Sequence, residues 1–310
     1  MSRQLEQSRG RTRAAAEGAR SATLAALGRQ PLGQMLGNRL FAGALLLAIG
    51  IALLGLALLL FDALKRGRGR LDVELIVNSR LDDVQGYRPA ILGTLMLVGL
   101  MILMVVPLGV ASAVYMEEFA DKTRWWNRLI EVNIQNLAAV PAIVYGILGL
   151  AFIVRGPLSL GFIAITGAMV LALLVLPMVI IASREAIRAV PPSIREGSLA
   201  LGATQWQTVW HQVIPAAVPG ILTGVILAVS RAVGEAAALL LLGAATFATF
   251  NPGVFDTGWS TLPVQIYELA KRPQEEFREL AAAGVIVMLA VVLLVNSFAI
   301  WLRNRYEQKW

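Results

Sequence analysis

The chain contains no cysteine and a single histidine, His211, and only 15% of its 310 residues are charged. The absence of cysteine excludes a disulfide framework, thiolate metal sites and a cysteine nucleophile. One histidine leaves no material for a histidine-rich metal centre and almost none for a histidine-dependent triad. A charged fraction this low, against about 25% in soluble domains, also removes the ordinary water-soluble globule. What is present instead is apolar: 57% of the residues are hydrophobic, 28 glycines come in addition, and the mean hydropathy is +0.68. That composition describes a polytopic membrane protein.

Charge-free apolar runs occupy residues 40–61, 89–116, 132–154, 156–183 and 280–302. Each is long enough, at about 1.5 Å per residue, to cross roughly 30 Å of hydrocarbon as a helix. A sixth run, 219–243, is apolar except for Arg231 and Glu235. Backbone polar groups must be paired inside lipid, and none of the runs shows the period-two alternation of a barrel strand. The expected fold is therefore an all-α membrane protein with six transmembrane helices over 39–310, preceded by a basic tail at 1–38. The tail carries several arginines beside Glu6 and Glu17 and reads as a mobile segment held near anionic lipid. Its first apolar run starts too late and is too long for a secretory signal peptide.

Six spans put both termini on one side. On that side fall sixteen of the 27 Lys and Arg residues, against ten on the other, with Arg231 within the membrane. The excess predicts cytoplasmic termini. Pro107, Pro141, Pro177 and Pro219 lie inside the runs, where each removes a backbone donor and can bend a helix, although neighbouring helices often absorb that cost.

The loop at 184–217 is too polar to cross and too patterned for a tether. Leu199, Ala203, Trp206, Trp210 and Val213 recur at helical spacing and predict one apolar face. Two readings stay open: packing on the chain's own bundle or the headgroup region, or a contact with another protein. Pro191 and Pro192 mark a helix start, Ser193 with Glu196 predicts a capping box, and Gly202 a break.

Within this loop Glu196-Gly197-Ser198, Gly202 six residues after the Glu, and Ile214-Pro215 resemble the EAA loop of ABC importer permeases, with Gly197 and Ser198 in place of two alanines. The runs Val190-Pro-Pro-Ser-Ile-Arg-Glu196, Arg231-Ala-Val-Gly-Glu235, Leu262-Pro-Val-Gln-Ile-Tyr267 and Arg272-Pro-Gln-Glu-Glu-Phe277 are similar to permease subunits of phosphate-specific importers of the PstA type, from about residue 89 to the end. One departure is Ala236-Ala237-Ala238 where that family usually has Thr-Ala-Pro, which loses a hydroxyl and a kink.

The resemblance implies the type I (MetI-like) importer permease fold in a bacterial or archaeal cytoplasmic membrane. The 184–217 loop would be a cytoplasmic coupling helix seated in a separate ATPase, with Glu196, Ala200, Leu201, Gly202 and Ala203 as contact residues. The implied partners are a second homologous permease, two ATPase copies, an extracytoplasmic phosphate-binding protein and membrane lipid, with no nucleic acid. ATP and Mg would sit on the ATPase. This agrees with the residues, since Lys65, Lys122, Lys271 and Lys309 follow Leu, Asp, Ala and Gln, so no P-loop exists and no enzyme activity is expected.

Ionisable residues within a span cost roughly 2.5–3.5 kcal/mol each on insertion scales and mark functional positions. Arg231 and Glu235, at i and i+4, would share a helix face and pair. As pathway residues, Arg231 would attract phosphate while Glu235 holds Arg231 in the empty site and favours protonated phosphate; as a structural pair they would lock the span to a partner. Arg184, Glu185 and Arg188 are gating candidates, with snorkelling to headgroups as the simpler account. His211 beside Trp210 reads as interfacial packing, and the segment 247–277, with Trp259, Tyr267 and Phe277, as an aromatic-anchored element on the outer face. The leading function is phosphate import. Its alternatives are import of another oxyanion or small solute, or a secondary transporter or channel that needs no ATPase.

Overall fold

The structure, a computed structural model, describes residues 32–78, 80–81, 84–244, 251–256 and 258–306. The basic tail therefore lies almost wholly outside the described residues, as does Phe247 of the predicted outer element.

The chain divides into two units at Phe61. The first contributes most of helix α1, Leu32–Gly67, a Leu- and Ala-rich run whose described side chains are exposed almost throughout. Nothing in its sequence distinguishes a polar face from an apolar one, which suits a helix surrounded by lipid or other helices.

In the second unit α1 ends in a 3₁₀ turn, Arg68–Arg70, followed by the short helix α2, Val73–Val77, and a two-residue hairpin, β1 (Arg80–Leu81) with β2 (Val84–Gln85). Helix α3, Arg88–Val114, continues as a π-helical turn, Tyr115–Phe119. Next come α4, Trp125–Ala138, and α5, Ala142–Leu148, which runs on in a π turn to Val154. Helix α6, Ala164–Arg188, is the central element, packed on α3 and on α9, Ile214–Val233, and lined by buried Leu171, Val175 and Val179. Between α6 and α9 stand α7, Pro192–Ala200, and α8, Gln205–Thr208, with a π turn, Val209–Val213. The chain closes with α10, Ala237–Leu241, α11, Leu262–Ala270, and α12, Glu275–Tyr306.

Small residues set the crossing of α9 on α6. A methyl added at Gly220 would come within 2.7 Å of the Ala186 Cβ, and one at Gly224 would collide with Ala182. Glycines four apart on α9 thus meet alanines four apart on α6, the arrangement that lets membrane helices approach through their backbones.

Among the described residues, five helices are long and apolar enough to cross a membrane, six if the bent pair α4–α5 counts as one span. Three expected spans differ from simple helices. The run 132–154 is broken: α4 and α5 meet at 107°, because Pro141 takes an extended conformation and restarts the helix. The run 156–183 becomes helical only at Ala164, after a turn with positive φ at Ser159 and Gly161. The run 219–243 stops at Gly234 and resumes as α10. Pro107, Pro177 and Pro219 stay inside their helices.

Trp259 is also placed differently from the expected interfacial anchor. It is fully buried, its ring against Gly167 of α6, where any side chain would meet it at 2.7 Å. The aromatic count could not separate an anchor from a core plug. Tyr267, about half exposed, keeps a surface role beneath Lys271, and Phe277 lies under Arg272.

Candidate functional site

The 184–217 loop folds into a hairpin of short helices. Pro191 is extended and Pro192 opens α7, as the paired prolines predict. The capping box is not at Ser193, since α7 begins at Pro192, before Ser193 could cap it, and has no side-chain cap. It lies at Thr204, whose Oγ1 accepts from the Gln207 backbone N–H while Gln207 Oε1 accepts from that of Thr204. Gly202 takes φ +86° and turns the chain between the arms. The Ser198 and Thr208 hydroxyls, 2.9 Å apart, tie the arms together.

Glu196, Ala200, Leu201, Gly202 and Ala203 are thereby gathered at and beside the tip. The first four are exposed, Leu201 at 90%, and Ala203 is half-buried. Glu196 makes no ion pair among the described residues, so its carboxylate is available to a partner. The predicted apolar stripe divides. Val213 is buried, whereas Trp206 and Trp210 remain about half exposed, their rings tilted against each other and that of Trp206 also against Phe119. His211 is exposed, its Nδ1 3.0 Å from the Gln207 carbonyl oxygen.

The base of this hairpin is fastened to α3 by residues that no sequence motif marks. Arg195 donates through Nε and Nη2 to Glu118 Oε1 at 3.1 and 2.7 Å, and to the Val190 and Ile187 carbonyls at 2.7 and 2.9 Å. Gln205 Nε2 donates to the Glu118 carbonyl. Beside it, Glu117 accepts from Arg184 at 2.9 Å and from Arg188 at 2.7 Å, and Arg184 also donates to Glu131 at 2.9 Å. Glu117 and Arg184 are almost sealed, with 5% and 9% side-chain exposure, so their charges need one another. Among the described residues Glu185 pairs with Arg188 alone, at the surface. The one sequence signal for this network was Glu117-Glu118 directly after the charge-free run 89–116, facing the basic end of another span.

The intramembrane pair is not formed. Arg231 occupies the last turn of α9, but the helix ends at Gly234, so Glu235 leaves the face that i, i+4 spacing assigned to it. Glu235 is half-buried, and its Oε1 accepts from the Ala238 N–H at 3.2 Å, satisfying a free donor at the start of α10. Arg231 is exposed, makes no ion pair among the described residues, and lies within electrostatic reach of the Tyr145 phenol. The helix is interrupted here without Thr-Ala-Pro, at Gly234 and with Glu235 capping the Ala238 N–H. A guanidinium exposed on a spanning helix requires a water-filled path or a polar partner.

Bent and broken spans with a projecting helical hairpin describe a transmembrane component of a transport system. Residues 106–309 match the family described as "Binding-protein-dependent transport system inner membrane component", and the chain belongs to it. It is 32% identical to the phosphate transport system permease protein PstA of Haemophilus influenzae, covering 84% of this chain and 92% of that one. It is 34% identical to the PstA 1 protein of Mycobacterium tuberculosis over 70% of each. It is 33% identical to the probable ABC transporter permease protein YqgH of Bacillus subtilis, over 73% of this chain and 72% of that one. Among solved structures, a bacterial alginate ABC transporter in complex with its periplasmic protein superposes with a TM-score of 0.66 at 18% identity, covering 86% and 94% of the chains. The MetNI methionine transporter gives 0.53 at 15%, covering 71% and 94%. The fold is that of type I ABC importer permeases, and the chain is a multi-pass inner-membrane component without catalytic activity or cofactor of its own, ATP belonging to a partner ATPase.

Proposed function

We propose that this chain is a permease subunit moving inorganic phosphate into the cytoplasm, with the 184–217 hairpin and both termini on the cytoplasmic side. The tip from Glu196 to Ala203 docks into a cleft of the ATPase, and the hairpin transmits its movement as a rigid lever. A second permease completes the pathway, two ATPase copies drive it, and an extracytoplasmic phosphate-binding protein delivers the substrate.

The observation that carries this reading is the tip itself. Leu201 stands 90% exposed on a hairpin otherwise capped, tied and clamped to the bundle, which is the design of a handle rather than of a buried loop. Identity of 32–34% to phosphate permeases supports the choice of substrate. In the pathway, Arg231 offers a planar cation able to take two phosphate oxygens. Glu235 shapes the bend beside it, and Arg184, Glu185 and Arg188 belong to the closed cytoplasmic end.

Co-purification tests the assembly: tagged chain should bring down an ATPase and a second permease. Reconstituted, phosphate-dependent uptake should fall more than tenfold in Arg231→Gln while assembly is retained. Normal uptake by that variant overturns the pathway role. Uptake of another oxyanion in preference to phosphate overturns the substrate.

A further inference from the structure

Lys122, Arg128, Arg184 and Arg188 surround a polar cavity of about 190 Å³ at the end of the bundle that carries the hairpin, lined also by the Asn127 amide and Glu131. Two of the cations are already matched: Arg184 and Arg188 share Glu117, and Glu131 and Glu185 complete their partners. The other two are not. Arg128 makes no side-chain hydrogen bond or ion pair among the described residues, and Lys122, 71% exposed, reaches Glu117 only at 3.5 Å. Four cations against Glu117, Glu131 and Glu185 leave the cavity positive, with two donors facing it that lack a close partner.

The same helix places the cavity at a membrane surface. α4 exposes Trp125, Trp126, Leu129 and Ile130 while burying Asn127 and Ile134, and Arg124 stacks 5.0 Å over Trp126. Tryptophans with arginines at a helix start are what an interface between headgroups and acyl chains selects.

We infer that this cavity is a binding site for a phosphate group, carried by an anionic phospholipid headgroup or present as free phosphate, held by Arg128 and Lys122 and backed by Arg184 and Arg188. Arginine takes phosphate oxygens bidentately and lysine serves as a point charge, so both sources meet the same donors. The site is separate from Arg231. It borders the Glu117 cluster at the root of the hairpin, so an occupant competes with Glu117 and Glu131 for the arginines that hold α6 to α3 and α4. That the cavity faces the cytoplasm rests on the orientation proposed above.

The absence of cysteine supplies the test. Ala120→Cys places a unique thiol of this chain in the cavity wall without removing a cation. The variant, assembled with its partners in nanodiscs, is treated with iodoacetamide, and alkylation is followed by the mass of this chain. In phosphatidylcholine discs, added phosphate at about ten times its Kd slows alkylation roughly tenfold relative to equal ionic strength of chloride if free phosphate is the ligand. In phosphatidylglycerol discs without phosphate, the same slowing identifies the headgroup. Protection must vanish in Lys122→Gln/Arg128→Gln and persist in Arg231→Gln. No protection by either source, protection surviving the double substitution, or protection lost in Arg231→Gln each overturns the site. Because Arg231→Gln is scored for uptake as well, failure of the transport reading and failure of this site are seen separately.

Discussion

Arg195 and Glu118 lie 77 residues apart in the chain and 2.7 Å apart in the fold, and their ion pair helps join the root of the hairpin to the end of α3. Glu118 is 11% exposed, and the two other Arg195 partners are the carbonyls of Val190 and Ile187 at the end of α6. One guanidinium therefore fixes α7 against two spanning helices.

Replacing Arg195 by Ala strands a largely buried carboxylate and two carbonyls, for which a loss of about 2–4 kcal/mol is expected. Arg195→Lys keeps the charge but not the fork, and should restore only part of it. Thermal unfolding in detergent measures the loss. If the hairpin is the ATPase handle and phosphate the substrate, the Ala variant in the assembled transporter should hydrolyse ATP with less phosphate moved per ATP, since a hairpin that still docks would no longer pull on α3.

Glu117 is expected to matter more than any one of its cations. A thermodynamic cycle on Glu117→Gln and Arg184→Gln should give a coupling near the upper part of the 0.5–3 kcal/mol range seen for contacting residues, because both side chains are sealed from solvent. The matching cycle with Arg188, whose side chain is 51% exposed, should give under about 1 kcal/mol. Equal couplings would mean that the cluster is more open to water than its burial implies.

The two halves of this architecture were unequally legible in the sequence. Spanning helices follow from unbroken apolar runs, and the hairpin from Pro191-Pro192, Gly202 and the resemblance around Glu196; both are local patterns. Pro141 was one of four candidate bends, but that it alone of the four would break its helix, and that α9 ends at Gly234, were not readable. A proline or glycine inside an apolar run is tolerated or disruptive according to what its neighbours pack against, as Pro107, Pro177 and Pro219 show by remaining within helices. Once α9 stopped at Gly234, the i, i+4 pairing of Arg231 with Glu235 lost its premise. Arg195–Glu118 and Arg184–Glu117 link residues 67 or more positions apart, and Trp259 is a core plug only because Gly167 opposes it; no spacing rule encodes such contacts.

Gly220 and Gly224 should be among the least replaceable residues of the bundle. Gly224→Leu must push α9 from α6 at Ala182 and is expected to prevent stable folding, while Gly220→Ala, facing the Ala186 methyl at 2.7 Å, should cost about 1–3 kcal/mol. Ala182→Gly paired with Gly224→Ala should recover part of the loss, because the space is shared between the two positions. Detergent-solubilised yield and melting temperature decide the matter, and full tolerance of Gly224→Leu would refute the close crossing.

At the hairpin tip, conformation and contact are separable. Gly202 holds φ +86° with nothing within 4 Å of where a Cβ would sit, so its replacement is penalised by backbone strain alone. Stability should fall in the order Gly, Asn, Ala, Val, with Ala losing about 1–2 kcal/mol, since Asn visits the left-handed region more readily than the others. Leu201, at 90% exposure, has almost nothing to lose inside this chain. Leu201→Glu should change the melting temperature by an amount corresponding to less than about 0.5 kcal/mol. If the tip is the handle gripped by an ATPase, that same substitution should abolish co-purification of the ATPase and ATP-driven uptake together. A Leu201→Glu protein that still retains its ATPase and transports normally would leave the exposed leucine without a partner, and the coupling contact would have to lie elsewhere on the hairpin.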